Sequence, residues 1–467
     1  MTTIVWFRQD LRIGDNPALA AAAKRGPVVP LYILDEDERR PLGAASRWWL
    51  HHSLAALEKS LGGLVLRRGD PAKILPQMAK AAGANVVVWN RCHEPDAIAC
   101  DEHVVAALNK ADIAVESFNG HLLHDPSEVK TKTGGPFKVY TPFWRAYRAR
   151  QAPPPQRAAR PTVQIAGIAS DNMASWTLLP KKPNWAAGWD KYWTPGETGA
   201  QARLDAFLRS DLKDYATARD RMAGRNTSLL SPHLHFGEIS PRQVWARVAL
   251  AGDKPGVSQA AAKFEAELGW REFCAHLIYH FPTIATDNWR EEFDKFQWRR
   301  SAADLKAWQR GETGYPMVDA GMRELWQTGW MHNRVRMIVA SFLVKHLRIH
   351  WRDGEAWFWD TLVDADLANN TGNWQWVAGS GADASPYFRI FNPMVQGAKF
   401  DPEGEYVRRW CPELKKLPDK YIHAPFEADA DVLEKAGIKL GRDYPKPIVD
   451  HAQAREEALA AYKRITR

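Results

Sequence analysis

The sequence predicts an α/β N-terminal domain, with a doubly wound five-stranded parallel sheet, and an all-α C-terminal domain. Two observations support this fold class. The first third of the chain alternates short apolar strands with amphipathic helical runs, which is typical of a parallel sheet with helical crossovers. From Ala200 the pattern is helical nearly to the end of the 467 residues, and strand signals are nearly absent.

The elements of the first third follow in strict alternation. Strands are expected at Thr3–Phe7, Val28–Leu34, Leu64–Arg68, Val86–Asn90 and Ala114–Phe118. Helices are expected between them at Asn16–Lys24, Ser46–Leu61, Ala72–Ala82 and Asp96–Lys110. No G-x-G-x-x-G follows the first strand, so an NAD-type site is not supported. Any ligand of this sheet is expected at the carboxyl ends of its strands.

A long stretch rich in proline and glycine follows, from about Pro126 to Thr198. We interpret it as a connection, and we expect an α/β domain at 1–125, the connection at 126–198 and a helical domain at 199–467. The helical runs expected after the connection are Ala200–Leu212, Pro241–Leu250, Gln259–Tyr279, Val318–Thr328, Asn333–Leu347 and Gly354–Leu362.

Composition limits the class of protein. The chain has 63 lysines and arginines against 55 acidic residues, a net charge of +8 that favours polyanions such as nucleic acid. No apolar run is long enough for a transmembrane helix, and the N-terminus resembles a strand rather than a signal peptide. The four cysteines form no C-x-x-C pair, which indicates free thiols in a reducing cytoplasm and no metal site. The 22 tryptophans against 12 tyrosines suggest packing, base stacking or redox chemistry.

Four segments combine residue types that suggest chemistry. The segment from Asp364 to Trp376 contains several acids, amides and indoles. This composition fits either a polar turn with helix caps or a site that binds a polar aromatic cofactor. On helices, Asn333 and Met337 would share one face, as would Glu267 and Trp270. Arg336 could pair with an acid such as Asp364, or form a solvated surface pair. Hydroxyls before a helix-starting proline, in Thr227–Pro232, suggest a phosphate cradle, although such caps are common.

These segments, in this order, resemble the DNA photolyase and cryptochrome family over essentially the whole chain. The motifs that carry the resemblance are Val5–Arg12, Thr227–Pro232, Trp270–Phe273, Thr313–Ala320, Gly329–Arg334, Trp374–Trp376 and Arg389–Pro393. The resemblance implies an antenna chromophore in the α/β domain and FAD in the helical domain. It also implies light-driven electron transfer from reduced FAD that splits cyclobutane pyrimidine dimers in ultraviolet-damaged DNA.

The resemblance also implies three sets of site residues. FAD contacts are expected from Tyr215, Thr227, Ser228, Leu229, Leu230, Ser231, Arg336, Asp364, Ala365, Asp366 and Asn370, with Arg336 and Asp364 as an ion pair and Asn370 facing the flavin N5. Contacts to the flipped lesion or to DNA are expected from Glu267, Trp270, Asn333, Arg334, Met337, Trp376 and Gln396. The electron relay is expected to run through Trp374, Trp351 and Trp298, with Trp308 and Trp359 as alternates.

Several alternatives stay open. The antenna is expected to be methenyltetrahydrofolate from the helix around Ser46–Leu50, with 8-hydroxy-deazaflavin, another flavin or no antenna as alternatives because Trp89–Pro95 departs from the common folate pattern. A cryptochrome-type photoreceptor and a (6-4) photolyase are the alternative functions, and Asn370, Asn333 and Met337 favour repair of cyclobutane dimers. Helices that bind nucleic acid without a cofactor are a third hypothesis. The protein is expected to be a bacterial monomer in the cytoplasm, associated with the nucleoid when bound to DNA.

Overall fold

The computed structural model describes residues 2–36, 40–224, 226–384 and 388–466. The chain divides into two compact units. The first unit comprises Met1–Ala216, Thr227–Thr283 and Val363–Ala368, and the second comprises Thr217–Asn226, Ile284–Leu362 and Asn369–Arg467. None of the described helices is long and apolar enough to cross a membrane.

The first unit contains a five-stranded sheet in which every pair of neighbouring strands is parallel. Its strands, in the spatial order β3-β2-β1-β4-β5, are β1 (Thr2–Phe7), β2 (Val28–Leu34), β3 (Val65–Arg68), β4 (Ala84–Asn90) and β5 (Ala114–Phe118). The central strand pairs on both sides, with Val5 opposite Pro30 and Val88. The predicted doubly wound sheet is confirmed.

Four helices make the crossovers between these strands: α1 (Pro17–Arg25), α2 (Ala44–Leu61), α3 (Pro71–Ala82) and α4 (Pro95–Lys110). Proline takes the first helical position in α1, α3 and α4, where a missing N–H costs nothing. The side chains of Asn16 and Asp70 cap α1 and α3 by accepting from Leu19 N and Ala72 N. Buried residues including Ile4, Val29, Val87 and Leu108 form the core of this layer.

The chain is mainly helical from Glu197 onward, as predicted, and a further helix, Tyr140–Arg148, lies within the predicted connection. The α-helices that follow the sheet are α5 (Tyr140–Arg148), α6 (Glu197–Ala206), α7 (Tyr215–Ala218), α8 (Ser231–His235), α9 (Pro241–Gly252), α10 (Ser258–His280), α11 (Ala302–Arg310), α12 (Pro316–Thr328), α13 (Asn333–Ser341), α14 (Trp351–Thr361), α15 (Leu367–Ala378), α16 (Pro393–Phe400), α17 (Glu405–Trp410), α18 (Ala430–Ala436) and α19 (His451–Ile465). Short π-helical turns extend α6 and α13 at Phe207–Asp211 and Phe342–His346. Short 3₁₀ turns occupy Pro126–Glu128, Met173–Trp176, Trp189–Lys191, Pro282–Ala285, Glu291–Lys295, Pro412–Leu414, Asp419–Tyr421 and Pro425–Glu427.

Candidate functional site

The predicted site residues fall in both compact units. The first unit carries Tyr215, Thr227, Ser228, Leu229, Leu230, Ser231, Glu267, Trp270, Asp364, Ala365 and Asp366. The second unit carries Trp298, Asn333, Arg334, Arg336, Met337, Trp351, Asn370, Trp374, Trp376 and Gln396. Within the described ranges, no group of three or more His, Cys, Asp and Glu side chains could hold a metal ion.

A hydroxyl-rich turn in the first unit leads into α8. The Ser231 hydroxyl donates to Asp364 Oδ2 at 2.6 Å, which joins two of the predicted contact segments. Leu229 has a φ of 52°, in the left-handed region that non-glycine residues rarely adopt. The Ser228 hydroxyl accepts from Leu230 N at 3.3 Å. Backbone strain of this kind persists where the surrounding structure fixes it, and it is concentrated at functional sites.

Two further groups flank this turn within the first unit. Tyr215 is buried, with its ring against Phe207 and Phe264 at 5.5 and 5.3 Å between centroids. His235 Nδ1 lies 3.7 Å from Asp366 Oδ2, and this buried nitrogen has no hydrogen-bond partner among the described residues. The segment therefore offers hydroxyl, carboxylate and imidazole groups close together.

Glu267 and Trp270 lie on α10, one helical turn apart, as predicted. The Trp270 ring stacks on Tyr140 of α5, with centroids 3.7 Å apart and planes inclined by 7°. The Tyr140 hydroxyl donates to the Ala266 carbonyl at 2.6 Å, next to Glu267. Lys263 lies 3.3 Å from the Glu267 carboxylate. Tyr140 covers one face of Trp270 and fixes the plane of its indole ring.

The carboxyl end of the sheet, at the switch point between β1 and β4, is filled by the protein's own polar groups. Asn90 Nδ2 donates to Asp10 Oδ2 at 2.6 Å and to Asn16 Oδ1 at 2.7 Å. Arg8 donates to Asp101 Oδ1 at 2.6 Å and to the Asn90 carbonyl at 2.9 Å. Arg8, Asp10, Asn16 and Asn90 are all buried. In doubly wound folds this crevice is the usual ligand position, and here an internal network occupies it.

Asn370 is held in one orientation in the second unit. Its Nδ2 donates to Glu355 Oε1 at 2.7 Å and to the Glu355 backbone carbonyl at 3.1 Å. Both groups are buried. Because Glu355 accepts both amide hydrogens, the group that Asn370 can offer to a ligand is its carbonyl oxygen, an acceptor.

The inner part of the predicted relay is buried in the second unit. Trp374 and Trp351 are 2% and 1% exposed. Trp351 Nε1 donates to Asn288 Oδ1 at 2.9 Å. Gly354 lies three residues after Trp351 on α14, and a Cβ added there would stand 2.2 Å from Cη2 of Trp374. The helix face that carries Trp351 therefore packs directly against Trp374, and only glycine permits that distance.

The outer part of the relay approaches solvent. Trp298 is half-buried. Its ring lies 4.8 Å from the His350 ring, and His350 lies 5.7 Å from the ring of Trp351. Of the alternates, Trp308 is fully buried with its ring 6.3 Å from Trp374. Trp374 and Trp351 are thus both buried, and Trp298, which was predicted as the outermost member of the relay, is the most exposed of the three.

Trp374 and Trp376 point to different sides of α15, because residues two apart on a helix are separated by about 200°. Trp376 is half-buried. Gln375 between them anchors the helix, since its Nε2 donates to the Ile284 and Asp287 carbonyls at 2.8 and 2.9 Å. One indole therefore belongs to the interior and the other lies near the surface.

The start of α13 carries the exposed Asn333 and, one turn later, the half-buried Met337. His332 caps the helix, with Nδ1 accepting from Arg334 N at 3.1 Å. Burial lowers the pKa of His332 to about 4, so the ring is neutral and can accept. Beneath it lies the buried Glu324, which accepts from the Tyr406 hydroxyl at 2.6 Å and from His332 N at 3.3 Å.

Two arginines of α13 are engaged within the second unit. Arg334 donates to Asp220 Oδ2 at 2.8 Å and lies over the Phe400 ring at 4.6 Å. Arg336 Nε donates to the Met331 carbonyl at 2.8 Å. On α16, Gln396 Oε1 is buried and has no hydrogen-bond partner within the described parts of the chain. The contacts of these residues with FAD or DNA, including the Arg336–Asp364 ion pair, stay predictions.

Three residues of the site were missed at the sequence level: Tyr140, Glu324 and Glu355. Tyr140 lies in the predicted connection, where α5 shows only Phe143 and Tyr147 as an apolar i, i+4 pair. Glu324 and Glu355 lie on predicted helices, where a carboxylate is ordinarily a solvated side chain. Glu355 lies 15 residues from Asn370, and that separation gives no periodic signal.

Known families match both halves of the chain. The family described as DNA photolyase matches residues 3–161, and the FAD binding domain of DNA photolyase matches residues 264–464. A deoxyribodipyrimidine photo-lyase of Agrobacterium fabrum is 55% identical, covering 99% of this chain and 98% of that protein. The chain belongs to the DNA photolyase family. The predicted resemblance is thereby confirmed, and FAD is the cofactor expected of the photolyase helical domain.

Related proteins of the photolyase family include cryptochromes. Cryptochrome-2 of Arabidopsis thaliana is 40% identical, over 99% of this chain and 79% of that protein. Among solved structures, a bacterial class III photolyase from Agrobacterium tumefaciens superposes with a TM-score of 0.96 at 54% identity, covering 100% of this chain and 98% of that chain.

The residues of the first unit fit a flavin dinucleotide. Ribityl, phosphate and ribose groups need hydrogen-bond donors and acceptors. Such groups are supplied by the left-handed turn at Leu229, by the Ser231–Asp364 pair and by His235 Nδ1, which has no hydrogen-bond partner among the described residues. In the second unit, the Asn370 oxygen is an acceptor suited to a protonated flavin nitrogen.

Proposed function

We propose that this protein is a cyclobutane-dimer DNA photolyase that uses light to repair ultraviolet-damaged DNA. The observation that carries the proposal is the 55% identity, over nearly the whole length, with a deoxyribodipyrimidine photo-lyase. The geometry of Asn370, Trp270 and the buried tryptophans agrees with this activity.

The FAD contacts proposed for the first unit are Tyr215, Thr227, Ser228, Leu229, Leu230, Ser231, Asp364, Ala365 and Asp366, with Arg336 and Asn370 from the second unit. Bound and reduced, FAD supplies the excited electron that splits the dimer. Asn370 offers an acceptor oxygen to the flavin N5 because Glu355 holds its amide hydrogens. Arg336 is proposed as the counter-ion of Asp364.

The lesion is proposed to bind as a flipped dinucleotide. A dimer stacks poorly in the duplex, so its extrusion costs less than that of a normal base pair. Glu267 accepts or donates at the pyrimidine edge, and Trp270 and Trp376 stack on the bases. Asn333 and Met337, one turn apart on α13, complete the contacts. Arg334 and Gln396 are proposed to contact the rim of the lesion or the DNA backbone. Arg334 must break its ion pair with Asp220 to reach a phosphate.

Trp374, Trp351 and Trp298 are proposed to pass electrons inward when the flavin is oxidised. Indole side chains are oxidised more easily than aliphatic ones, and their burial keeps water from the path. The half-buried Trp298 lies where an external reductant can reach it.

A photoreceptor function is the second candidate, because Arabidopsis cryptochrome-2 is 40% identical to this chain. An amide at Asn370 favours repair, since plant-type cryptochromes carry an acid there. A (6-4) photolyase is a further alternative. Asn333 and Met337 stand where such enzymes carry a histidine pair, and they favour the cyclobutane lesion.

The antenna is proposed to be methenyltetrahydrofolate, with 8-hydroxy-deazaflavin as the alternative. The buried network of Arg8, Asp10, Asn16 and Asn90 at the switch point supports an antenna seated elsewhere in the first unit. The protein is proposed to act as a monomer in the bacterial cytoplasm and to join the nucleoid through damaged DNA.

A lesion panel tests the choice among these functions. Reduced protein is illuminated with oligonucleotides that carry one cyclobutane thymine dimer or one (6-4) photoproduct. Light-dependent repair of the dimer alone is expected. Repair of the (6-4) product alone moves the assignment to that class, and repair of neither, with flavin bound and reduced, favours the photoreceptor.

A further inference from the structure

The turn between α12 and α13, in the second unit, leads directly into the residues proposed to contact the lesion. Side chains hold the backbone of its last three residues. The Trp330 N–H donates to the Thr328 hydroxyl at 3.1 Å. The Met331 carbonyl accepts from Arg336 Nε at 2.8 Å. The His332 N–H donates to a carboxyl group of α12 at 3.3 Å. The turn is therefore fixed by its neighbours on both helices.

That carboxyl group belongs to Glu324. Its Oε2 accepts both from His332 N and, at 2.6 Å, from the hydroxyl of Tyr406 on α17. Both side chains are buried, so water does not replace these bonds. Removing the carboxyl group would leave buried donors unsatisfied, which costs more than the bonds themselves contribute. Glu324 thus ties the start of α13 to both α12 and α17.

The position of His332 determines the position of the lesion contacts. His332 is the N-cap of α13, Asn333 is the first residue of the helix and Met337 lies one turn later. The helix packs closely on α12, since a Cβ added at Gly321 would stand 2.4 Å from Cγ1 of Val335. A shift at the N-cap would therefore move Asn333 and Met337 together, and displacements of about 1 Å are enough to impair a binding site.

Glu324 differs from its two partners in its titration. Burial raises the pKa of Glu324 to about 7, although its bonds to Tyr406 and His332 N and the charges of Arg336 and Arg409 act in the opposite direction. Burial lowers the pKa of His332 to about 4 and raises that of Tyr406 well above 10. Between about pH 6 and about pH 8, His332 and Tyr406 stay neutral while Glu324 changes from acid to carboxylate.

Other charged groups on the surrounding helices have partners of their own. Arg323 of α12 lies 2.6 Å from Glu413. Asp401, between α16 and α17, accepts from two backbone N–H groups of α17 at 3.0 and 3.1 Å, and burial raises its pKa. Lys399 of α16 lies 5.2 Å from an aromatic ring of its own helix. The charged side chains on α11, α13 and α17 that are exposed or half-buried include Lys306, Arg310, Arg334, Glu405 and Arg409.

We propose that Glu324 is a positioning residue for lesion binding, that its neutral acid form supports binding of damaged DNA, and that its ionisation weakens this binding. A flipped dinucleotide that reaches Asn333 brings its phosphates towards the start of α13, and a carboxylate beneath that helix repels them. The complex therefore binds the proton more tightly than the free protein does, so affinity is highest at acidic pH and falls as the pH rises through the pKa. This inference rests on the proposed function, because it assumes that Asn333 and Met337 contact the lesion.

The test measures binding of the purified flavoprotein to a duplex with one thymine dimer and to the undamaged duplex. It is made in the dark, from about pH 6 to about pH 8 at constant ionic strength. The variants are Glu324→Gln, which keeps the shape and an acceptor oxygen but does not ionise, Glu324→Ala and Tyr406→Phe. The control is Glu405→Gln, which removes an exposed acid next to Tyr406. Thermal midpoints and bound flavin verify folding, and repair is then measured at saturating DNA.

We expect the affinity of the wild type for the damaged duplex to fall about three- to tenfold over this range, the effect of a unit charge about 10 Å from a phosphate. Glu324→Gln should keep the affinity that the wild type has at acidic pH, and Glu405→Gln should keep the wild-type profile. Tyr406→Phe should move the fall to higher pH, because the Tyr406 hydroxyl lowers the pKa of Glu324. Glu324→Ala should bind the damaged duplex about fivefold more weakly at every pH. The rate of repair at saturating DNA should be the same in all of them.

Three outcomes overturn this role of Glu324. The same pH profile in the wild type and Glu324→Gln shows that another group titrates. A changed rate at saturating DNA, with unchanged affinity, places the effect at the flavin and not at the lesion. Wild-type affinity in Glu324→Ala shows that the carboxyl group positions nothing, and if that variant does not fold, the profiles of Glu324→Gln and Tyr406→Phe decide. A wild type that binds both duplexes equally at every pH rejects the proposed function as well, whereas discrimination that does not change with pH rejects this inference alone.

Discussion

Gly354→Ala probes the packing that positions Trp374. An added Cβ would stand 2.2 Å from Cη2 of Trp374 and 2.6 Å from Cδ2 of Leu343. Carbon atoms in packed interiors lie about 3.5–4.0 Å apart, so the indole has to shift by more than about 1 Å. Overpacking of this kind costs about 1–3 kcal/mol, and alanine recovers about 1 kcal/mol through its helix propensity. We expect a net loss of about 0–2 kcal/mol in unfolding free energy and slower photoreduction of the flavin.

A double-mutant cycle isolates the contact. Trp374→Phe removes the indole atoms that the new Cβ meets and leaves the contact with Leu343, so Gly354→Ala should be less costly by about 1–2 kcal/mol in that background. Urea unfolding gives the free energies. Ala356→Gly, at an exposed position of the same helix, is the control for helix destabilisation and should photoreduce normally. The reasoning is refuted if Gly354→Ala costs the same, within about 0.5 kcal/mol, in both backgrounds.

Three further predictions concern the relay, the lesion contacts and pH. Trp374→Phe should abolish photoreduction and spare repair when the flavin is reduced chemically, and normal photoreduction in this variant contradicts the relay. Tyr140→Ala should weaken discrimination of the lesion because Trp270 loses its stacking partner, whereas Tyr140→Phe should keep it. The measurement is the ratio of the affinities for damaged and undamaged duplex, and the same ratio in the two variants would contradict this role. Burial raises the pKa of Glu324 to about 7 from 4.5, so the folded state binds the extra proton and loses stability as pH rises between these values. The unfolding free energy of Glu324→Gln should therefore rise relative to that of the wild type by up to about 3 kcal/mol between pH 5 and 8. A difference in urea midpoint that does not change with pH would contradict this prediction.

Local signals accounted for the elements of the fold. Short continuous apolar runs predicted all five strands to within two residues, because both faces of a parallel sheet are buried, and the 3.6-residue period predicted the crossover helices equally closely. The predicted helix starts were one residue late at Pro71 and Pro95, where proline is the first helical residue, and one residue early at Pro17, where Asn16 is the N-cap. Helix α5 was missed because only Phe143 and Tyr147 mark its buried face.

Contacts between distant residues escaped prediction for a physical reason. Tyr140 bonds to Ala266 across 126 positions, and Arg8 pairs with Asp101 across 93. Such pairs follow from tertiary packing and leave no local pattern. The predicted roles of individual site residues came from the family resemblance, and the structure adds the partners that orient them, such as Glu355.

The central claim is light-driven repair of a cyclobutane dimer. The most direct measurement mixes the purified protein, with its flavin reduced, with an oligonucleotide that carries one thymine dimer and follows thymine absorbance. We predict that thymine absorbance recovers under near-ultraviolet or blue light and does not recover in the dark, and that recovery is slower in Glu267→Ala. No recovery in light, with damaged DNA bound and the flavin reduced, would contradict it.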